Sequence, residues 1–427
     1  MTRKQKRQPA NQPAPAAPPQ PSPHHADSQL EAIMHLKAGR LDEAAALLTD
    51  IIEADPQSWQ GLHLLGLIAY RQGHLERAAG LIRQCLDVHP NLAEGFSDLG
   101  VVLKDLGELD DAQIACEKAI SIKPGFHPAF SNLGNVFKAM GHFEDAVQCY
   151  RHAIELVPNF ADAHANLSSA LLAQGHTEDA LISAQRAVDL APNHPETLIA
   201  HGHALRMAGI YGEAMAAYRR VIELKPDMAS VYSDIGCVLQ ESGHLQEALQ
   251  FHQRAIAMQP GLAESYSNLG ITLKQLGRNG DACRAYQTAI ELKPTYGEVY
   301  SNLGVVQDAM GKHHEAVASY RRAIELSPEL PHPYVNLGGA LWEQNNLADA
   351  LALQAKALTI DPNHPTALVE HYNLCRHACA WDGIAAAEEK ILTQTYRHGK
   401  RVTPFPILNI SSGPEEHLLC ADRKSVV

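Results

Sequence analysis

Two periods are superposed in the order of apolar and polar residues. Over short stretches the apolar positions fall at helical spacing, in amphipathic runs such as Ala323-Ile324-Glu325-Leu326-Ser327-Pro328. Over longer distances the whole pattern returns every 34 residues. Its clearest copy is Tyr300-Ser301-Asn302-Leu303-Gly304, with near copies at 130–134, 266–270 and 334–338 and weaker ones at 96–100 and 232–236. A period in this range marks one supersecondary unit that cannot bury its apolar face alone and must stack on its neighbours. Proline recurs in the same register at Pro56, Pro90, Pro124, Pro158, Pro192, Pro226, Pro260, Pro294, Pro328 and Pro362. Because proline cannot continue a helix, each copy closes one run. The expected units are 25–58, 59–92, 93–126, 127–160, 161–194, 195–228, 229–262, 263–296, 297–330 and 331–364.

Each unit holds two helices. Between them stands Gly39, Gly73, Gly107, Gly141, Gly175, Gly209, Gly243, Gly277 or Gly311, with Asn345 in the tenth unit. Glycine, then asparagine, is the choice expected where a helix ends in the left-handed region. Early in the second helix an alanine recurs ten times, from Ala44 through Ala350. Opposite it the first helix carries Gly66, Gly100, Gly134, Ser168, Gly202, Gly236, Gly270, Gly304 or Gly338. Small residues at both places let two helix backbones approach, and a large side chain there would overpack the crossing. Tyr150, Tyr218, Tyr286 and Tyr320 fill the next layer. This small, alanine and proline register resembles the tetratricopeptide repeat. The resemblance implies an all-α fold, a right-handed superhelical solenoid of about ten 34-residue helix pairs, with the first helices lining a concave groove.

Composition narrows the function classes. Of 427 residues, 45% are hydrophobic and 19% charged, and the formal charge is −13 with no basic stripe, which argues against nucleic acid as a partner. No apolar run approaches the roughly 20 residues that span a bilayer, so no membrane partner is expected. The eight cysteines follow no framework spacing and read as reduced thiols of a cytoplasmic protein. Residues 1–24, with seven prolines, four basic residues and no acid, read as a disordered tail. Residues 365–398 read as capping helices and 399–427 as the start of a further segment. A homodimer through the outer helices stays open.

The candidate binding residues are the polar ones of the repeated stretch: Asn132, Asn166, Asn268, Asn302 and Asn336, with Asp98 and Asp234 in two further units and Leu64 and Ala200 in two others. This position lies two residues before the small glycine and points away from the helix-pair contact. A carboxamide offers donors and an acceptor, so it satisfies both the C=O and the N–H of an extended peptide. A ladder of such groups would hold almost any sequence, most firmly at 263–364 where three rungs are consecutive. Asn302 is the residue that the fold does not obviously need. The alternative is that each asparagine cross-links adjacent helices. His74, His142, His176 and His244 follow the turn glycine and read as ordinary surface residues. His371, Cys375 and Cys379 share a helical face, but no second ligand cluster exists. No metal, cofactor or catalytic residue is assigned.

The segment His371-Tyr372-Asn373-Leu374-Cys375-Arg376-His377-Ala378-Cys379-Ala380-Trp381-Asp382 resembles the junction that follows the repeats in the protein O-GlcNAc transferase family, including its bacterial and SPINDLY-like members. Cys379 and Trp381 match its Cys-Asp-Trp element, with Ala380 in the middle. Val402 to Leu408 and Pro414 to Leu418 resemble that family's entry into its catalytic region, and the repeated asparagines resemble its asparagine ladder. The resemblance implies transfer of N-acetylglucosamine from UDP-N-acetylglucosamine to protein Ser or Thr, with the repeats holding the acceptor protein. Only 63 residues follow residue 364, whereas two nucleotide-binding lobes need several hundred. The expected reading is therefore a protein-binding scaffold related to the acceptor-binding half of such a transferase. The alternatives are the N-terminal part of an active glycosyltransferase and a free-standing assembly adaptor.

Overall fold

The computed structural model describes residues 23–377. Among the described residues there are 21 helices and no strand. They fall into two compact units, with the chain dividing between Ile210 and Tyr211. The first unit holds α1 (Pro23–Lys37), α2 (Leu41–Ala54), α3 (Trp59–Arg71), α4 (Leu75–Val88), α5 (Ala93–Leu106), α6 (Leu109–Ile122), α7 (His127–Met140), α8 (Phe143–Leu156), α9 (Ala161–Ala173), α10 (Thr177–Leu190) and α11 (Pro195–Met207). The second holds α12 (Tyr211–Leu224), α13 (Ala229–Glu241), α14 (Leu245–Met258), α15 (Ala263–Gln275), α16 (Asn279–Leu292), α17 (Gly297–Ala309), α18 (His313–Leu326), α19 (Pro331–Glu343), α20 (Leu347–Ile360) and α21 (Pro365–His377). The first helix begins at Pro23, two residues inside the stretch expected to be tail. Residues 1–22 and 378–427, with the rest of the tail and the segments beyond α21, lie outside the described residues.

The turns explain the pairing. α5 ends on Gly107 at φ 83°; the Gly107 N–H donates to Lys104 O at 3.0 Å and the Glu108 N–H to Leu103 O at 2.9 Å. Two such bonds satisfy carbonyls that a helix end leaves open, and they reverse the chain within a few residues. Asn345 makes the same turn at φ 62°, with its N–H on Trp342 O at 2.8 Å and that of Asn346 on Leu341 O at 2.9 Å. It is the only non-glycine residue at positive φ among the described residues.

Within each unit every helix packs on the next, and the first helices of successive pairs also touch: α3 with α5, α5 with α7, α7 with α9 and α9 with α11, then α13 with α15, α15 with α17, α17 with α19 and α19 with α21. The first helices thus form an inner layer that the second helices cover. The core runs along the stack as successive apolar clusters. All ten recurrent alanines are fully buried. The small position opposite them serves the side chain at the next layer more than the alanine itself. A Cβ on Gly134 would stand 2.6 Å from the Tyr150 ring, and one on Gly66 would stand 2.7 Å from Ile82 Cγ1 but 3.4 Å from Ala78 O. Cys116 fills the same place over Gly100, and burial raises its thiol pKa to about 12. Cys85 is likewise buried and raised to about 11. Both are packing residues rather than nucleophiles. No helix among the described residues is long and apolar enough to cross a membrane.

Candidate functional site

Each candidate residue sits in the body of a first helix: Asp98 on α5, Asn132 on α7, Asn166 on α9, Asp234 on α13, Asn268 on α15, Asn302 on α17 and Asn336 on α19. All seven are half-buried. The helical repeat sets this intermediate exposure. The flanking residues, Ser131 and Leu133 around Asn132 for example, point into the stack and are buried, which leaves the residue between them on the rim of the inner layer.

Three of the asparagines do part of the fold's work. Asn132 Nδ2 donates to Ser97 Oγ at 2.9 Å, Asn268 Nδ2 to Ser233 Oγ at 3.1 Å, and Asn336 Nδ2 to Ser301 Oγ at 3.2 Å. Each bond joins the first helices of successive pairs, and each accepting serine is buried. The cross-linking alternative therefore describes one N–H of these three side chains. Each bond uses one N–H, so the second N–H and Oδ1 of these half-buried side chains are not spent on it. Asn166 and Asn302 have no hydrogen bond to any described residue. The serine preceding the ladder residue was the signal for these cross-links, but only the adjacency of the first helices shows which serine each asparagine reaches.

The aspartates differ. Asp98 Oδ2 lies 2.8 Å from His63 Nε2 on α3. Asp234 stands near the buried His252 of α14, whose own burial lowers its pKa to about 4 while the Asp234 charge pulls weakly the other way. Ser233 Oγ lies 3.4 Å from His252 Nδ1.

In the first unit, α7, α9 and α11 border a pocket of about 500 Å³ that contains the rungs at Asn132, Asn166 and Ala200. Asn135, Ser169 and His203 stand one helical turn further along the same faces and also line it, with Phe160, Ala165 and Ile199 as its apolar part. Asn135 Oδ1 accepts from the Tyr150 hydroxyl at 2.7 Å, which leaves its NH2 for the pocket. Lys138 completes the lining, and burial, helped by the nearby Lys104 charge, lowers its pKa below the ordinary value. The sequence reading missed Asn135 and Lys138. Asn135 lies three residues past Asn132, on the face that helical spacing assigns to the rung, and Lys138 lies three residues past Asn135.

His74, His142, His176 and His244 are exposed residues that precede the second helices. On α21, Cys375 Sγ lies 3.6 Å from His371 Nε2, so the expected shared face exists for that pair. Burial raises the Cys375 pKa and lowers that of His371. Cys379 lies outside the described residues, as does the part of the junction from Ala378 to Asp382, which includes Trp381.

No curated protein matches the sequence. The crystal structure of yeast Tom70 superposes with a TM-score of 0.49 at 14% identity, covering 86% of this chain and 91% of that one. The crystal structure of MamA superposes with a TM-score of 0.32 at 25% identity, covering 38% of this chain and 95% of that one. Tetratricopeptide repeat family models match residues 30–93, 63–125 and 302–365, residues 161–194, residues 228–259 and residues 261–329, and a further TPR repeat model matches residues 134–175. These matches run through both units, over helix pairs whose turn glycines and buried alanines keep one register, and the chain belongs to the tetratricopeptide repeat family.

Proposed function

We propose that the chain is a protein-binding scaffold whose first helices hold an extended segment of a partner protein, with Asn132, Asn166, Asn268, Asn302 and Asn336 bonding its backbone and Asp98 and Asp234 serving as weaker, acceptor-only rungs. The observation that carries this reading is the half-buried row of carboxamides, two of which have no partner inside the described protein. A polar group held at a rim without a partner costs nothing while water reaches it, and it gains about 0.5–1.5 kcal/mol when it bonds a ligand. The buried, high-pKa thiols suit a reducing, cytoplasmic setting. Within this proposal the array belongs with the acceptor-binding half of a protein O-GlcNAc transferase. That relation rests on the junction near Cys379 and Trp381, and a transfer assay with UDP-N-acetylglucosamine on this chain alone should give no product.

Asn166 and Asn302 are the discriminating positions, because removing their amides breaks no hydrogen bond in the described protein. Peptides selected for binding from a random 15-residue library serve as the probe, with affinity read by fluorescence anisotropy. Asn166→Ala with Asn302→Ala should weaken binding by about 2- to 13-fold per lost bond, with the melting temperature unchanged. N-methylation of the peptide backbone should weaken binding to the unaltered chain. Equal affinity in both comparisons would remove the ladder from the proposal. A triple replacement of Asn268, Asn302 and Asn336 should also lower stability, since the bonds to Ser233 and Ser301 go with it.

A further inference from the structure

Asp308, His313 and Glu343 come together where the ninth helix pair meets the first helix of the tenth. Asp308 lies in the last turn of α17, His313 opens α18 and Glu343 closes α19. One ligand atom from each lies within 4.8 Å of those of the other two. His313 Nδ1 stands 2.7 Å from Asp308 Oδ1. Above them opens a pocket of about 610 Å³ lined in part by His313, His314 and Glu343. Lys312 also borders it, and its ammonium faces the Glu315 carboxylate at 3.4 Å.

The chain's own repeats act as an internal control on what the fold requires here. At the repeat position of Asp308, four other units carry a cation: Lys104, Lys138, Arg206 and Lys274. None of the others carries an acid. At the position of His313, five units carry Leu and two carry Phe or Tyr. Leu41 and Leu347 use that position to pack against the core, whereas His313 is exposed. Thr177 and Asn279 show that the second place tolerates a polar residue, but the ninth unit is the one that departs from the commonest residue at both places with ligating side chains. One gains a carboxylate in place of a cation, the other gives up apolar packing, and the two new side chains meet each other and Glu343. Stacking supplies no reason for this coincidence, but ligation does.

We propose that Asp308, His313 and Glu343 form a binding site for a divalent transition-metal ion of the zinc class. One imidazole nitrogen and two carboxylate oxygens make a donor set suited to such ions, with remaining positions left to water. The nitrogen now facing Asp308 becomes the ligand when the imidazole N–H moves to Nε2, which that exposed ring can offer to solvent. A bound ion would tie the turn between α17 and α18 to the end of α19 and so clasp one helix pair to the next. Binding to the folded state alone raises stability by mass action.

The test uses the full chain, stripped of metal by a chelator, with Zn²⁺ titrated in competition with a chromophoric chelator. His313→Leu restores the residue that half of the repeats carry, so the fold is kept. Glu343→Gln is a second variant at an exposed helix end, which decides the matter if the first does not fold. The unaltered chain should bind one more equivalent of Zn²⁺ than either variant, or bind that equivalent at least tenfold more tightly, and Zn²⁺ should raise its melting temperature by more than that of the variants. Equal stoichiometry, affinity and melting shift in the unaltered chain and both variants would overturn the site. Zinc held elsewhere, as by His371 and Cys375, is common to all three proteins and cancels.

Discussion

A Cβ on Gly304 would stand 2.5 Å from the Tyr320 ring, and the same distance separates a Cβ on Gly270 from Tyr286. Both rings are buried, so neither can swing away cheaply. Gly304→Ala is therefore expected to destabilise the second unit by about 1–3 kcal/mol through overpacking. In the fifth repeat the same two positions hold Ser168 and Ala184, both fully buried, so bulk is traded between the helices while the sum is kept. Gly304→Ser combined with Tyr320→Ala copies that pair. In urea unfolding the double variant should be more stable than the two single losses added together, by about 0.5–3 kcal/mol of coupling. Strict additivity would show that the two positions do not share one space. The small residues were legible in the sequence because they recur at a fixed register. Their true counterpart was not, because sequence spacing pairs Gly100 with Ala112 and only the crossing geometry brings Cys116 onto it. The same limit explains the ladder: its position was legible from Asn302 and its copies, whereas the bond from Asn336 back to Ser301 needs two helices from different repeats to be side by side.

Each turn between paired helices depends on one residue in the left-handed region. At Gly243, φ is 86° and an added Cβ would meet no atom within 4 Å. The cost of Gly243→Ala is then conformational alone, about 1–2 kcal/mol. Asn345 at φ 62° already bears a side chain in that region. Asn345→Gly relieves the strain but loosens the unfolded chain, and the two effects are of similar size, each of order 1 kcal/mol. Urea titrations should show a clear loss for Gly243→Ala and a change within about 0.5 kcal/mol for Asn345→Gly. If both variants lose equally, the left-handed backbone is not what selects these residues. These turns were fully legible from sequence, since backbone conformation follows local residue type. The pocket of α7, α9 and α11 was not, since Lys138 and His203 reach it from helices two repeats apart.

A stack of repeats is stabilised by local interfaces, so single buried ionisable groups leave a mark on the whole unit. His252 and Glu370 both lie in the second unit and act in opposite directions. Burial lowers the His252 pKa from its ordinary 6.5 to about 4. Below pH 6.5 the unfolded chain takes up a proton that the folded one refuses, so stability falls as pH drops and the loss levels off near pH 4. Its full size is on the order of 3 kcal/mol. Glu370 is bonded to Gln354 and mostly buried, and burial raises its pKa from 4.5 to about 7. Its contribution is fully present below pH 4.5 and is lost as pH rises through 7. The two slopes oppose each other across the same range and flatten the profile of the unaltered chain. His252→Tyr installs the residue found at Tyr286 and Tyr320, and its advantage over the unaltered chain should grow as pH falls from 6.5 to 4. Glu370→Gln removes the other group, and its advantage should grow as pH rises from 4.5 to 7. Chemical denaturation across pH 4–8 separates the two. A stability difference that stays constant with pH for either variant would show that the group in question keeps its ordinary titration in the folded stack.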